Sequence, residues 1–142
     1  MTAPLTFLEL RCGAALTSIR ILNQLLEVAM ASLAVEASLR HDATLAVAEL
    51  VANVCEHEYA GRQGEVGVKL QVDPDELRIE LSSQGPPFDL TAALARAHAS
   101  DPLEHLQSGG LGLKLIESLF DEATCEHPGG VNLIRLRKRL TG

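Results

Sequence analysis

The stretch from Asp42 to Tyr59, DATLAVAELVANVCEHEY, constrains the fold more than any other part of the chain. It reads as a helix, because Asp42 suits an N-cap and good helix formers follow it without Gly or Pro. Small and apolar residues run nearly all the way round, among them Ala46, Val47, Leu50, Val51 and Val54. A helix apolar on most sides is buried on most sides. Yet Glu49, Asn53 and His57 interrupt the run at four-residue steps, which stacks them in one slowly turning stripe. Either that stripe faces solvent, or a carboxylate among buried neighbours is paired, protonated or turned to a cavity. The helix alone leaves both readings open.

A chain of 142 residues suits a single domain, 1–142, around one core of ordinary size. Apolar residues make up 46% of it, which excludes a disordered or fibrous chain. A formal net charge of -7 argues against a general nucleic-acid or anionic-membrane partner. The basic run Arg135, Arg137, Lys138, Arg139 alternates with Leu and is expected to face solvent on a terminal strand. The N-terminus, MTAPLTFLELR, lacks a basic segment followed by an apolar core, and no apolar run is long enough to span a bilayer. Cys12, Cys55 and Cys125 are scattered, with neither a CxxC pair nor metal-ligand spacing, as expected of thiols in a reducing compartment. The expected location is therefore the cytoplasm.

Around the central helix the elements follow in order. Leu5 to Arg11 reads as a strand, and Gly13 breaks it. A helix capped by Thr17 or Ser18 is expected to run to about Leu39, with Ile19, Leu22, Leu26, Met30 and Leu33 on one face. Arg20, near its start, is either exposed or an ion-pair partner. Val66–Val72 and Leu77–Leu81 alternate apolar with polar residues across Asp73-Pro74-Asp75-Glu76, the pattern of an antiparallel hairpin with one buried face. Gly85-Pro86-Pro87 stops the second strand. Asp89 to Ala99 is a short Ala-rich helix, SDPLEHLQSGG a loop, and Leu111 to Phe120 another helix. Strands near Ala123–His127 and Val131–Arg139 close the chain around His127-Pro128-Gly129-Gly130. This order predicts an α+β two-layer sandwich, a mostly antiparallel mixed sheet with helices on one face.

Two glycine sites bear on chemistry. Ser108-Gly109-Gly110-Leu111-Gly112-Leu113 opens a helix, where free N–H groups and the helix dipole favour an anion such as phosphate. Ser82-Ser83-Gln84-Gly85-Pro86-Pro87 follows a strand directly, a common edge for a binding site. Each is also an ordinary turn composition. Together with AELVANVCEHEY, and in this order, QGPPFDL and GGLGLKLIESLFDE resemble the GHKL (Bergerat-fold) ATPases, and most of all their anti-sigma-factor serine kinase branch. The resemblance covers nearly the whole chain.

The resemblance implies ATP and Mg²⁺ as ligands. It makes Glu49 the general base and Asn53 the magnesium ligand, roles that suit a carboxylate and an amide oxygen. His57 and Tyr59 match common residues of the same motif and are expected to be structural or site-lining. It puts Ser83 and Gly85 in the adenine pocket, makes Gly109, Gly110 and Gly112 the phosphate cradle, and makes the segment of about 89–110, above all Ser100 to Ser108, a lid. It implies an anti-anti-sigma (STAS-like) protein as substrate, a sigma factor as second partner, and a homodimer.

Two departures stand out. Ser83 occupies the position of an Asp that accepts the adenine amino group. Charged acceptors contribute roughly 1.5–3 kcal/mol against about 1 for neutral ones, which predicts about tenfold weaker binding or altered base selectivity. Leu111 stands between the glycines where relatives often carry a basic residue, leaving Lys114 as the nearby cation, either on phosphate or in solvent. These departures keep open an alternative: a regulatory protein-binding module with weak or no kinase activity.

Overall fold

The hairpin expected between residues 66 and 81 forms the middle of a five-stranded sheet. The coordinates are a computed structural model that describes residues 6–60, 62–87, 89–99 and 111–140. Strands β1 (Thr6–Gly13), β2 (Glu65–Val72), β3 (Glu76–Gln84), β4 (Glu122–Glu126) and β5 (Val131–Arg139) lie in the order β1-β2-β3-β5-β4. All four pairings are antiparallel, so the described sheet is antiparallel throughout rather than mixed. The β2–β3 register follows the alternation: Val68 faces Leu81, Leu70 faces Ile79 and Val72 faces Leu77. Ile134 and Leu136 of β5 continue the same row beside Leu81 and Ile79.

Among the described residues four α-helices stand in chain order: α1 (Leu16–Ser32), α2 (Ala37–Asn53), α3 (Leu90–Ala99) and α4 (Leu111–Leu119). Leu22, Leu26 and Met30 of α1 are buried at four-residue steps, and α1 packs on α2. Burying a side chain of that size stabilises by about 1.5–3 kcal/mol. Arg20 is exposed, near the start of α1. In α2, Ala43, Ala46, Val47, Leu50 and Val51 meet the sheet core, while α4 adds Ile116 and packs along α2 and α3.

The boundary between the first two helices differs from the sequence expectation. The first helix ends at Ser32 instead of about Leu39, and α2 begins at Ala37, so Asp42 lies inside a helix and is not its N-cap. The turn gives no Gly or Pro signal because Ala34 itself adopts the left-handed conformation, at φ 61°. Arg40 fastens it from the far side, donating to the Val35 carbonyl at 2.6 Å and pairing with Glu27 at 2.7 Å. Among the described residues no helix is long and apolar enough to cross a membrane.

Candidate functional site

Glu49 and Asn53 lie in the last turns of α2, on the edge beside its buried face, and both are partly buried. Burial pushes the Glu49 carboxyl up to about 7, and repulsion from Glu56 adds to the rise. A carboxyl balanced near neutrality both accepts and releases a proton readily, which is what a general base requires. The Asn53 side-chain nitrogen donates to the Glu49 carbonyl at 2.8 Å. With the nitrogen committed to the helix, the amide oxygen is the end left to accept from or ligate another group. A hard oxygen of that kind fits a magnesium ion, which takes one or two protein oxygens and fills its shell from water and phosphate.

After Asn53 the helix widens into one π turn, Val54–Glu58, closed by the Tyr59 N–H on the Val54 carbonyl at 2.9 Å. Widened turns of this kind often sit at functional positions. Here the turn delivers Tyr59, 6% exposed, to the end of the sheet. Its hydroxyl donates to the Glu65 carbonyl at 2.7 Å and accepts the Gln84 N–H at 2.8 Å. One side chain thus joins the acid-and-amide helix to the beginning of β2 and the end of β3. Gly64 makes the approach possible, since a Cβ there would fall inside the Tyr59 ring. His57 lies within the π turn, and its side chain is outside the described residues.

Ser83 and Asn132 are the buried polar residues of the described core, at 5% and 1% exposure. They face each other across β3 and β5 on the helix-covered side. The Asn132 nitrogen donates to the Pro86 carbonyl at 2.8 Å, and its oxygen meets His127 Nδ1, also at 2.8 Å. Since the nitrogen is identified by its carbonyl partner, His127 must be the donor in the second bond. Gly85 therefore sits in a turn held from β5. Asp89 lies beyond that turn, where it caps α3 by accepting the Ala92 N–H at 2.9 Å. Ser83 presents a buried hydroxyl at the end of β3, two residues before Gly85.

Leu111 and Gly112 form the first turn of α4, and Lys114 follows there, partly exposed. Gly109, Gly110 and the expected lid from Ser100 to Ser108 lie outside the described residues. Sequence reasoning missed Asn132 and left Tyr59 without a specific role. Asn132 had a visible signal, because it shares the alternation phase of Ile134 and Leu136 and so places an amide on the apolar face. Tyr59's two hydrogen bonds, to the Glu65 carbonyl and from the Gln84 N–H, had none.

A two-layer sandwich whose acid-and-amide helix meets the end of an antiparallel sheet has the GHKL ATPase fold. Residues 12–138 match the histidine kinase-like ATPase domain, and the chain belongs to that family. The serine-protein kinase RsbW of Staphylococcus epidermidis is 34% identical over 101 residues, which cover 68% of this chain and 64% of that kinase. RsbW of Halalkalibacterium halodurans is 36% identical over 95 residues, 65% of this chain and 58% of the relative. The matched stretch thus spans less than two thirds of the length of these kinases. Two solved structures share the fold. The RsbU and RsbW domains of Rv1364c from Mycobacterium tuberculosis align with 97% of this chain and 33% of that one, at a TM-score of 0.64 and 23% identity. The SiaB–SiaC complex from Pseudomonas aeruginosa aligns with 94% of this chain and 89% of the solved chain, at a TM-score of 0.57 and 16% identity.

Proposed function

We propose that this protein is an ATP-dependent serine kinase of the anti-sigma-factor type, formed by one domain over residues 1–142. The observation that carries the proposal is the pairing on one helix edge of a carboxyl raised to about 7 with an amide whose nitrogen is already committed. In this reading Glu49 takes the proton of a serine hydroxyl as that oxygen bonds to the γ-phosphorus and the bond to the ADP oxygen breaks. Asn53 holds the ion through its amide oxygen, and magnesium supplies neutralisation of the phosphate charge. Ser83 and Gly85 receive the adenine. Gly109, Gly110, the Leu111 and Gly112 backbone and Lys114 receive the phosphates, under the lid of about 89–110.

The substrate is an anti-anti-sigma (STAS-like) protein, and the competing partner a sigma factor, both in the cytoplasm. The protein works as a homodimer. Ile21, Leu25 and Val28 support that assembly, since they form an apolar stripe on the outer side of α1, 58%, 44% and 64% exposed. Such stripes more often meet a partner than water.

The test is incubation with γ-labelled ATP, magnesium and an antagonist protein of that type. Label on a partner serine, lost in Glu49→Ala, supports the kinase. The neutral Ser83 favours a second reading, a binding module. A stable complex with the partner and no transfer at millimolar ATP would establish that reading instead.

A further inference from the structure

We propose that Tyr59 and Asn132 are positioning residues that set base selectivity by clamping the turn around Gly85 from both sides. The inference rests on the nucleotide-binding reading above and deepens it. Gly85 has one neighbour fixed through its N–H, where Gln84 donates to the Tyr59 hydroxyl at 2.8 Å. Its other neighbour is fixed through its carbonyl, where Pro86 accepts from Asn132 at 2.8 Å. The two anchors come from distant parts of the chain, 25 and 46 residues away in sequence. Both anchoring side chains are buried, so each part-buried bond is shielded from water on one side.

Each anchor is itself held. The Tyr59 hydroxyl also donates to the Glu65 carbonyl, which fixes the direction of its lone pair toward Gln84. The Asn132 amide is kept from flipping by His127, whose Nδ1–H donates to the amide oxygen. Polar atoms that recognise a base discriminate only as well as they are positioned. A turn that presents a neutral hydroxyl at Ser83 lacks the charge that would tolerate looser geometry. Rigid placement of the backbone at Gln84 to Pro86 supplies the discrimination instead. Because Tyr59 also closes the π turn that follows Asn53, the same hydroxyl ties the base pocket to the helix that carries Glu49 and Asn53.

The experiment measures Kd for Mg·ATP, Mg·GTP and Mg·tripolyphosphate by competition, using wild type, Tyr59→Phe and Asn132→Asp. Tyr59→Phe keeps the ring over Gly64 and removes only the hydroxyl. Asn132→Asp keeps the shape and the acceptor for His127 but removes the donor to Pro86. Circular dichroism melts confirm that each variant is folded at the assay temperature. His127→Ala, which frees the amide without touching the turn, is the milder variant should either of the others fail to fold. Each clamp variant is expected to weaken ATP about tenfold, the loss of roughly one part-buried hydrogen bond. Tripolyphosphate binding should be unchanged, and the ATP-over-GTP preference should shrink by a similar factor. If folded variants keep the wild-type ATP-to-GTP ratio, or weaken ATP and tripolyphosphate in parallel, the clamp is refuted while nucleotide binding stands. Wild type that binds none of the three refutes the nucleotide reading and the clamp with it.

Discussion

The two faces of one sheet handle polar residues in opposite ways. On the open face Glu80 lies between Lys69 at 3.9 Å and Arg135 at 3.0 Å, while Arg137 reaches Glu76 at 3.2 Å and Glu122 at 2.9 Å. Hydrogen bonds from Arg78 and Arg137 hold the Glu76 carboxyl below its ordinary range. These pairs lie on the solvent face of the sheet, where ion pairs are screened and add little to stability. On the covered face the rows are apolar until the end of β3 and β5, where Ser83 and Asn132 stand opposite each other. A polar group there costs about 1–3 kcal/mol if left without a partner, so its presence needs a reason. Among the described residues, the buried polar groups on the covered side gather at the corner where Tyr59 also arrives, which supports placing the proposed site there.

The sharpest way to break that contrast is at Glu49. Glu49→Ala should retain nucleotide binding but lower phosphoryl transfer by about 10²–10⁴-fold, measured with labelled ATP and a partner serine. Transfer at the wild-type rate would move the base elsewhere. Next in size is Gly64→Ala, which forces a methyl group into the Tyr59 ring. Overpacking at a buried contact costs about 1–3 kcal/mol, so the Tm should fall by about 5–10 °C. An unchanged melt would mean that the ring does not occupy that space.

Glu49→Gln gives a smaller, pH-dependent effect. The folded-state pKa is raised from 4.5 to about 7, so the stability linked to the protonated carboxyl is complete below 4.5 and lost as pH rises through 7. Wild type should thus lose stability relative to Glu49→Gln between pH 5 and pH 8, by about 1–2 kcal/mol once solvent screening of a half-exposed group is allowed for. Melts at the two pH values check the sign. Smallest of all is Arg135→Ala on the open face, expected to change stability by less than about 1 kcal/mol despite breaking contacts to Glu80 and Glu126. A loss as large as that of Gly64→Ala would erase the distinction between the faces.

Strand alternation made the sheet legible: β2 and β5 match their expected bounds to within one residue, while β3 runs on to Gln84, three residues past the expected Leu81. The α1–α2 boundary was not legible, because Ala34 turns the chain in a conformation that sequence associates with glycine. Glu49 and Asn53 could be named from their spacing, yet the raised carboxyl depends on burial and on Glu56, which the pattern alone does not give. Tyr59 is the clearest limit. Its place in the motif was visible, but its partners Glu65 and Gln84 are brought to it by the fold.

Calorimetric titration of ATP into wild type and Asn53→Ala, each with and without magnesium, tests the central claim most directly. Wild type should bind, with affinity that rises when magnesium is present. Asn53→Ala should bind with the same affinity in both conditions. Absence of any binding to wild type at millimolar ATP, or a magnesium effect that survives intact in Asn53→Ala, would contradict the account.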